Sequence, residues 1–64
     1  MGAQYEMVVD SHHPVGINVR CQEYVFLIYK TFLRKKIEEY KVGENISVVY
    51  KGKDYKGNRE WRIV

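Results

Sequence analysis

The stretch from residue 22 to residue 41, QEYVFLIYKTFLRKKIEEYK, constrains the fold more than any other part of the chain. Its apolar side chains recur at helical spacing, about 100° per residue, and form the core-facing stripe of an amphipathic helix. The residues of this stripe are Val25, Tyr29, Phe32, Leu33, Ile37 and Tyr40, with Phe26 at its edge. Leu27 and Ile28 lie off the stripe, so the alternative is that residues 24–29 belong partly to a strand. The spacing favours a helix that ends before Gly43.

Alternating apolar and polar residues predict strands on both sides of this helix. The four predicted strands lie at residues 4–9, 15–19, 45–51 and 59–64. Pro14 interrupts the pattern between the first two strands, and the pair Gly57-Asn58 suits the tight turn between the last two. The predicted fold is α+β in the order β-β-α-β-β, with a small antiparallel sheet packed on one amphipathic helix. Residues 1–64 are expected to form a single domain.

Size and cysteine content limit the possible classes of protein. The chain has 64 residues and one cysteine, Cys21, which cannot form an internal disulfide. A disulfide-stapled secreted scaffold is therefore excluded, and a reducing compartment is favoured. No signal peptide is visible at MGAQYEMVVD, and the longest apolar run, residues 24–29, is too short to span a bilayer. We expect a soluble cytoplasmic domain that neither associates with a membrane nor binds a cofactor.

Positive charge is concentrated at one end of the chain. Residues 1–49 carry six basic and six acidic side chains, whereas residues 50–64 carry five basic and two acidic ones. The whole net charge of +3 therefore lies in the last fifteen residues. Such a concentration attracts polyanions, although a mild excess also fits an ordinary solvated face.

The densest group of side chains that could act in catalysis or bind a metal consists of Asp10, Ser11, His12 and His13. Adjacent residues of an extended segment point to opposite sides, and two histidines with Cys21 match no compact zinc motif. Ser11-His12-His13 resembles the glycine-serine-histidine stretch of HicA-type mRNA interferase toxins, whose histidine is taken as the general base against the RNA 2′-hydroxyl. Asp10 stands where that family has glycine, and no second catalytic group is identifiable. We predict turn histidines, no metal site and no enzymatic activity.

The C-terminal segment, residues 42–64, combines a glycine, an alternating strand, a lysine-glycine corner and a last strand with an aromatic residue. The residues concerned are Gly43, Ile46, Val48, Tyr50, Lys51, Gly52, Tyr55, Trp61 and Ile63. This order resembles the closing strands of the compact oligonucleotide-binding (OB) barrels of small phage and plasmid single-strand-binding proteins. The resemblance implies five strands, one more than predicted. Residues 1–20 would then hide a strand, the sheet would be open and the barrel incomplete, or a second chain would complete it.

The resemblance implies a non-enzymatic module that binds single-stranded DNA or RNA through its C-terminal hairpin. Basic side chains would neutralise phosphates, and Tyr55 or Trp61 would stack on bases, at about 1 to 3 kcal/mol per base. The predicted contact residues are Lys51, Lys53, Tyr55, Lys56, Arg59, Trp61 and Arg62. The alternative for Trp61 is a core position under the helix. The predicted surface depends on that helix, so extended backbone at residues 25–29 would remove it.

A protein-interaction or regulatory module is the alternative function, and an HicA-like mRNA interferase is a remote alternative. A small domain with exposed aromatic residues and sheet edges often completes its core by pairing with a partner. The expected partner is then a protein, including a second copy of this chain in a homodimer.

Overall fold

The computed structural model describes residues 3–64, and this part of the chain is a single antiparallel sheet. Its five strands are β1 (Gln4–His13), β2 (Gly16–Cys21), β3 (Tyr24–Tyr29), β4 (Asn45–Lys53) and β5 (Arg59–Ile63). Two 3-10 turns, Lys30–Phe32 and Ile37–Glu39, lie in the long connection between β3 and β4. Nothing within residues 3–64 forms a helix with the length and hydropathy needed to cross a bilayer.

The predicted helix over residues 22–41 is wrong, and with it the α+β class and the packing of a sheet on a helix. The first part of this stretch is β3, and the rest is irregular apart from the two 3-10 turns. In β3, alternate side chains point to opposite faces. Ile28, off the predicted stripe, is fully buried, whereas Val25, on the stripe, is 48% exposed. A nearly continuous apolar run fits a helical arc and a buried strand equally well, and pairing with β2 decides for the strand.

Strands lie at all four positions predicted by alternation, with different ends. β1 continues to His13 instead of ending at residue 9, because a bulge between Val9 and Ser11 shifts the register and lets pairing with β2 resume. β4 likewise extends to Lys53 through a second irregularity, between Tyr50 and Gly52. These extensions lengthen both hairpins beyond the predicted strands.

The strands lie in the order β3-β2-β1-β4-β5, so that β3 and β5 are the two edges of the sheet. The sheet curls until these edges face each other. The contact that shows this joins the rings of Phe26 on β3 and Trp61 on β5, whose centroids are 5.4 Å apart. No hydrogen-bonded ladder joins the two edge strands within residues 3–64. The fold is therefore a partly open barrel with a side-chain contact across its seam.

The concave face of the sheet forms the core. Its buried hydrophobic residues are Met7, Val9, Ile17, Val19, Ile28, Tyr40, Ile46, Val48, Trp61 and Ile63. Tyr40 comes from the connection between β3 and β4, and its hydroxyl accepts a hydrogen bond from the Arg34 N–H at 3.1 Å. The ring of Tyr40 thereby holds the connection against the core of the barrel.

Candidate nucleic-acid interface

The predicted contact residues lie on the β4–β5 hairpin, which rests beside β3 and not on a helix. The surface as first predicted, supported by a helix, is therefore absent. A groove separates the hairpin from β3 and is lined by Val25, Leu27 and Tyr29 on one side and by Gly57 and Asn58 on the other. The edge of β3 takes the supporting position that the sequence assigned to the helix.

Asp54 organises the tip of this hairpin. Its Oδ1 accepts hydrogen bonds from the backbone N–H groups of Lys56 at 2.8 Å and Asn58 at 2.9 Å. Gly57 adopts a φ of 85°, which allows the chain to reverse. This arrangement is an Asx-type turn, in which the carboxylate of Asp54 bonds to the backbone and not to a lysine side chain.

The loop holds Tyr55 away from the rest of the protein. Its side chain is 91% exposed. The Lys56 ammonium lies 5.5 Å from the centre of the Tyr55 ring, so that the aromatic face is bordered by a positive charge. An exposed ring beside a cation suits a ligand with both a planar base and a phosphate.

The basic side chains of the hairpin are all exposed, and they concentrate towards its loop. Lys53 and Arg59 are direct cross-strand partners at the loop end of β4 and β5. Lys51 is the extra residue of the bulge in β4, and Arg62 lies further along β5 opposite Val49. Like charges directly opposite each other destabilise a strand pair. An anion held between Lys53 and Arg59 would remove this repulsion.

Within residues 3–64, no carboxylate forms an ion pair with these cations. The ion pairs within residues 3–64 are Arg20–Asp10 at 3.0 Å and Lys35–Glu44 at 3.3 Å. Both lie outside the β4–β5 hairpin. The hairpin cations are therefore available to an external polyanion.

Trp61 lies in the core, as in the alternative to a nucleic-acid contact, although no helix covers it within residues 3–64. Its side chain is 6% exposed. Its ring lies 5.4 Å from that of Phe26 and 5.0 Å from that of Tyr50, measured between centroids. The broad face of the indole is consequently covered by protein, and Trp61 does not join Tyr55 on the outer surface.

An aromatic cavity at one end of the barrel, which we call the barrel mouth, was missed by the sequence reasoning. It has a volume of about 380 Å³ and is lined by Tyr5, Met7, Cys21, Gln22, Tyr24, Phe26, Tyr50, Arg59 and Trp61. These residues come from all five strands and from the β2–β3 turn. Only the closure of the sheet brings them together, so alternation within single strands gave no signal for the cavity.

The two histidines take part in separate backbone hydrogen bonds. His12 Nε2 donates to the Tyr40 carbonyl oxygen, and His13 Nδ1 accepts the Val15 N–H at 3.2 Å. Within residues 3–64, no group of three or more His, Cys, Asp or Glu side chains is placed to hold a metal ion. Both histidines lie in β1, so their predicted place in a turn is wrong.

Comparison of the chain with protein-family models, with curated proteins and with solved structures finds no match. The relationship to OB-type single-strand-binding proteins therefore stays a prediction from the residues quoted above.

Proposed function

We propose that this domain binds single-stranded nucleic acid without catalysis, through its β4–β5 hairpin. The observation that carries the proposal is the hairpin loop, where Tyr55 is 91% exposed among cations that form no ion pair in the part of the chain that the structure describes. Stacking on an aromatic side chain and neutralisation of phosphates are the two interactions that sequence-tolerant single-strand binding uses.

The arrangement of the strands supports the same proposal. OB-folds are five-stranded, partly open barrels that bind oligonucleotides with loops that include the one between strands 4 and 5. This chain also has five strands in a partly open barrel, and its basic loop joins β4 to β5. The fifth strand comes from residues 24–29, the segment first predicted as helix.

The proposed binding has two expected properties. Affinity falls as salt rises because phosphate contacts release counterions, and three contacts give a slope of about −2 in log K against log salt. Preference among base sequences is slight because every base has a π-face. We also place the domain in the cytoplasm, where its lone Cys21 would stay reduced.

Fluorescence anisotropy of a labelled oligothymidylate of about 16 nucleotides tests the proposal. The wild-type chain should bind at low salt. The triple variant Lys53→Gln/Lys56→Gln/Arg59→Gln should lose binding and flatten the salt dependence. Tyr55→Ala should weaken binding by about 5- to 150-fold, the equivalent of 1 to 3 kcal/mol.

A second triple variant provides the matched control. Arg34→Gln/Lys36→Gln/Lys41→Gln removes the same charge from exposed positions in the β3–β4 connection. It should keep most of the affinity. Equal losses in both triple variants would mean that net charge alone drives binding, and absence of binding at low salt would remove the proposal.

Pairing through the edge of β3 is a second candidate function. Within residues 3–64, β3 is hydrogen-bonded to β2 alone, and its other edge, which lies across the seam from β5 without a ladder, carries Val25, which is 48% exposed. Such an edge can accept another strand, including that of a second copy of this chain. Sedimentation equilibrium should then show a dimer that Val25→Lys dissociates. A monomer at high protein concentration would contradict this candidate.

A further inference from the structure

The barrel mouth is built from the side-chain types that hold a planar aromatic ligand. Five of its lining residues are aromatic: Tyr5, Tyr24, Phe26, Tyr50 and Trp61. Its volume of about 380 Å³ lies within the range of about 300 to 1,000 Å³ that is usual for small-molecule sites. A ring that enters the mouth would meet aromatic side chains contributed by four different strands.

Arg59 sets the charge of the ligand. Its guanidinium carbon lies 5.2 Å from the centre of the Phe26 ring, so that a permanent positive charge lies against the aromatic wall. Neither ion pair within residues 3–64 involves Arg59. Its cross-strand partner Lys53 adds a second positive charge. This arrangement opposes a cationic ligand and favours one with an anionic group beside its ring.

Polar groups at the rim of the mouth can form hydrogen bonds with the edge of such a ring. Gln22 is the one non-glycine residue within residues 3–64 with a positive φ, 56°, in the turn between β2 and β3. Its side chain lines the mouth together with the exposed Tyr24. An amide both donates and accepts hydrogen bonds, so Gln22 suits the mixed donor and acceptor edge of a nucleobase.

We propose that the barrel mouth is a nucleotide subsite, which takes one base of the bound strand between its aromatic walls while Arg59 holds the adjoining phosphate. The inference rests on the proposed function for the class of its ligand. It goes further by assigning a single base to a site lined by residues of all five strands, separate from Tyr55 on the outer loop.

Trp61 provides the measurement, because it is the single tryptophan of the chain and it lines the mouth. Titration with adenosine 5′-monophosphate should quench its fluorescence to saturation. Ribose 5-phosphate, which has the phosphate and no base, should leave the fluorescence unchanged. Arg59→Gln should weaken binding of the monophosphate at least about tenfold, the equivalent of one lost charge-assisted contact, and should weaken binding of adenosine much less.

Two variants on β3 distinguish the contribution of the mouth to binding from that of the rest of the strand. Tyr24→Leu removes a mouth ring that is 60% exposed, so the fold should tolerate the change. It should weaken the monophosphate by about 5- to 150-fold. Tyr29→Leu removes an aromatic ring that lines the groove beside the hairpin and not the mouth, so it should leave binding of the monophosphate unchanged.

The outcomes separate the inference from the proposed function. If oligothymidylate binds but the monophosphate gives no saturable quenching, or Tyr24→Leu acts no more strongly than Tyr29→Leu, the subsite is overturned and hairpin binding stands. If neither oligonucleotide nor monophosphate binds, both fail together. Saturable quenching that depends on Tyr24 and Arg59 supports the subsite.

Discussion

Truncation of Ile28 and of Val25 should have very different effects, because β3 places their side chains on opposite faces. Ile28 is fully buried and lies opposite Ile17 on β2, which is fully buried too. Ile28→Val removes one methylene and should cost about 0.5 to 1.5 kcal/mol, whereas Ile28→Ala should cost about 2 to 5 kcal/mol. Val25 is 48% exposed, so Val25→Ala should lose only strand propensity, at most about 1 kcal/mol.

Because the domain is small, Ile28→Val is the variant whose change in free energy of unfolding can be measured most accurately. A chain of 64 residues has a free energy of unfolding of about 3 to 10 kcal/mol, so Ile28→Ala could remove most of it. Urea unfolding followed by Trp61 fluorescence gives the free energies by linear extrapolation. A helix with Val25 on its core-facing stripe would reverse the order. A larger loss for Val25→Ala than for Ile28→Ala would therefore refute the assignment of β3.

Two other predictions concern the packing of the sheet and its response to acid. At Gly16, an added Cβ would overlap the Ile28 carbonyl oxygen and lie 2.9 Å from its carbonyl carbon, so Gly16→Ala should cost about 3 kcal/mol or more. Gly43→Ala, with free space around it but a φ of 93°, should cost about 1 to 2 kcal/mol in the same urea assay; equal costs would contradict the clash. The pKa of Glu44 is lowered, chiefly because its carboxylate accepts the Lys41 N–H and also bonds Lys35. Because the folded pKa lies below the unfolded one, this stabilisation is present above the unfolded pKa and is lost as the pH falls through the folded pKa. Urea midpoints should therefore fall less steeply with acid in Glu44→Gln than in wild type, and identical slopes would count against the effect.

The strands were predictable where one face of the sheet is apolar and the other polar. Residues 45–51 alternate cleanly, and β4 begins at the predicted position. The same rule failed in β3 because both of its faces are apolar. Leu27 lies on the outer face beside the β4–β5 hairpin, while Phe26 and Ile28 face the core. Without polar residues between them, the apolar positions of β3 fit a helical arc as well as a strand.

The candidate site was predictable in part, for a similar reason. Charge and loop residues are local properties, so the exposure of Tyr55 and the basic side chains around it could be read from the sequence. The barrel mouth depends on contacts between distant segments. Tyr5 and Trp61 line the same cavity although almost the whole chain separates them. No local pattern contains that information, because the curl of the sheet creates it.

Because residues 24–29 form β3 and not a helix, the support of the proposed binding surface is also different from the predicted one. A hairpin on a helix would be held by many side chains along one stripe, whereas this hairpin meets β3 without a hydrogen-bonded ladder. The aromatic contact between Phe26 and Trp61, with the Arg59 guanidinium over the Phe26 ring, bridges the seam instead. Arg59 thus belongs to the basic loop, to the barrel mouth and to the contact that closes the barrel. A ligand phosphate bound at Arg59 would act on the seam directly, so binding and closure of the barrel should be coupled.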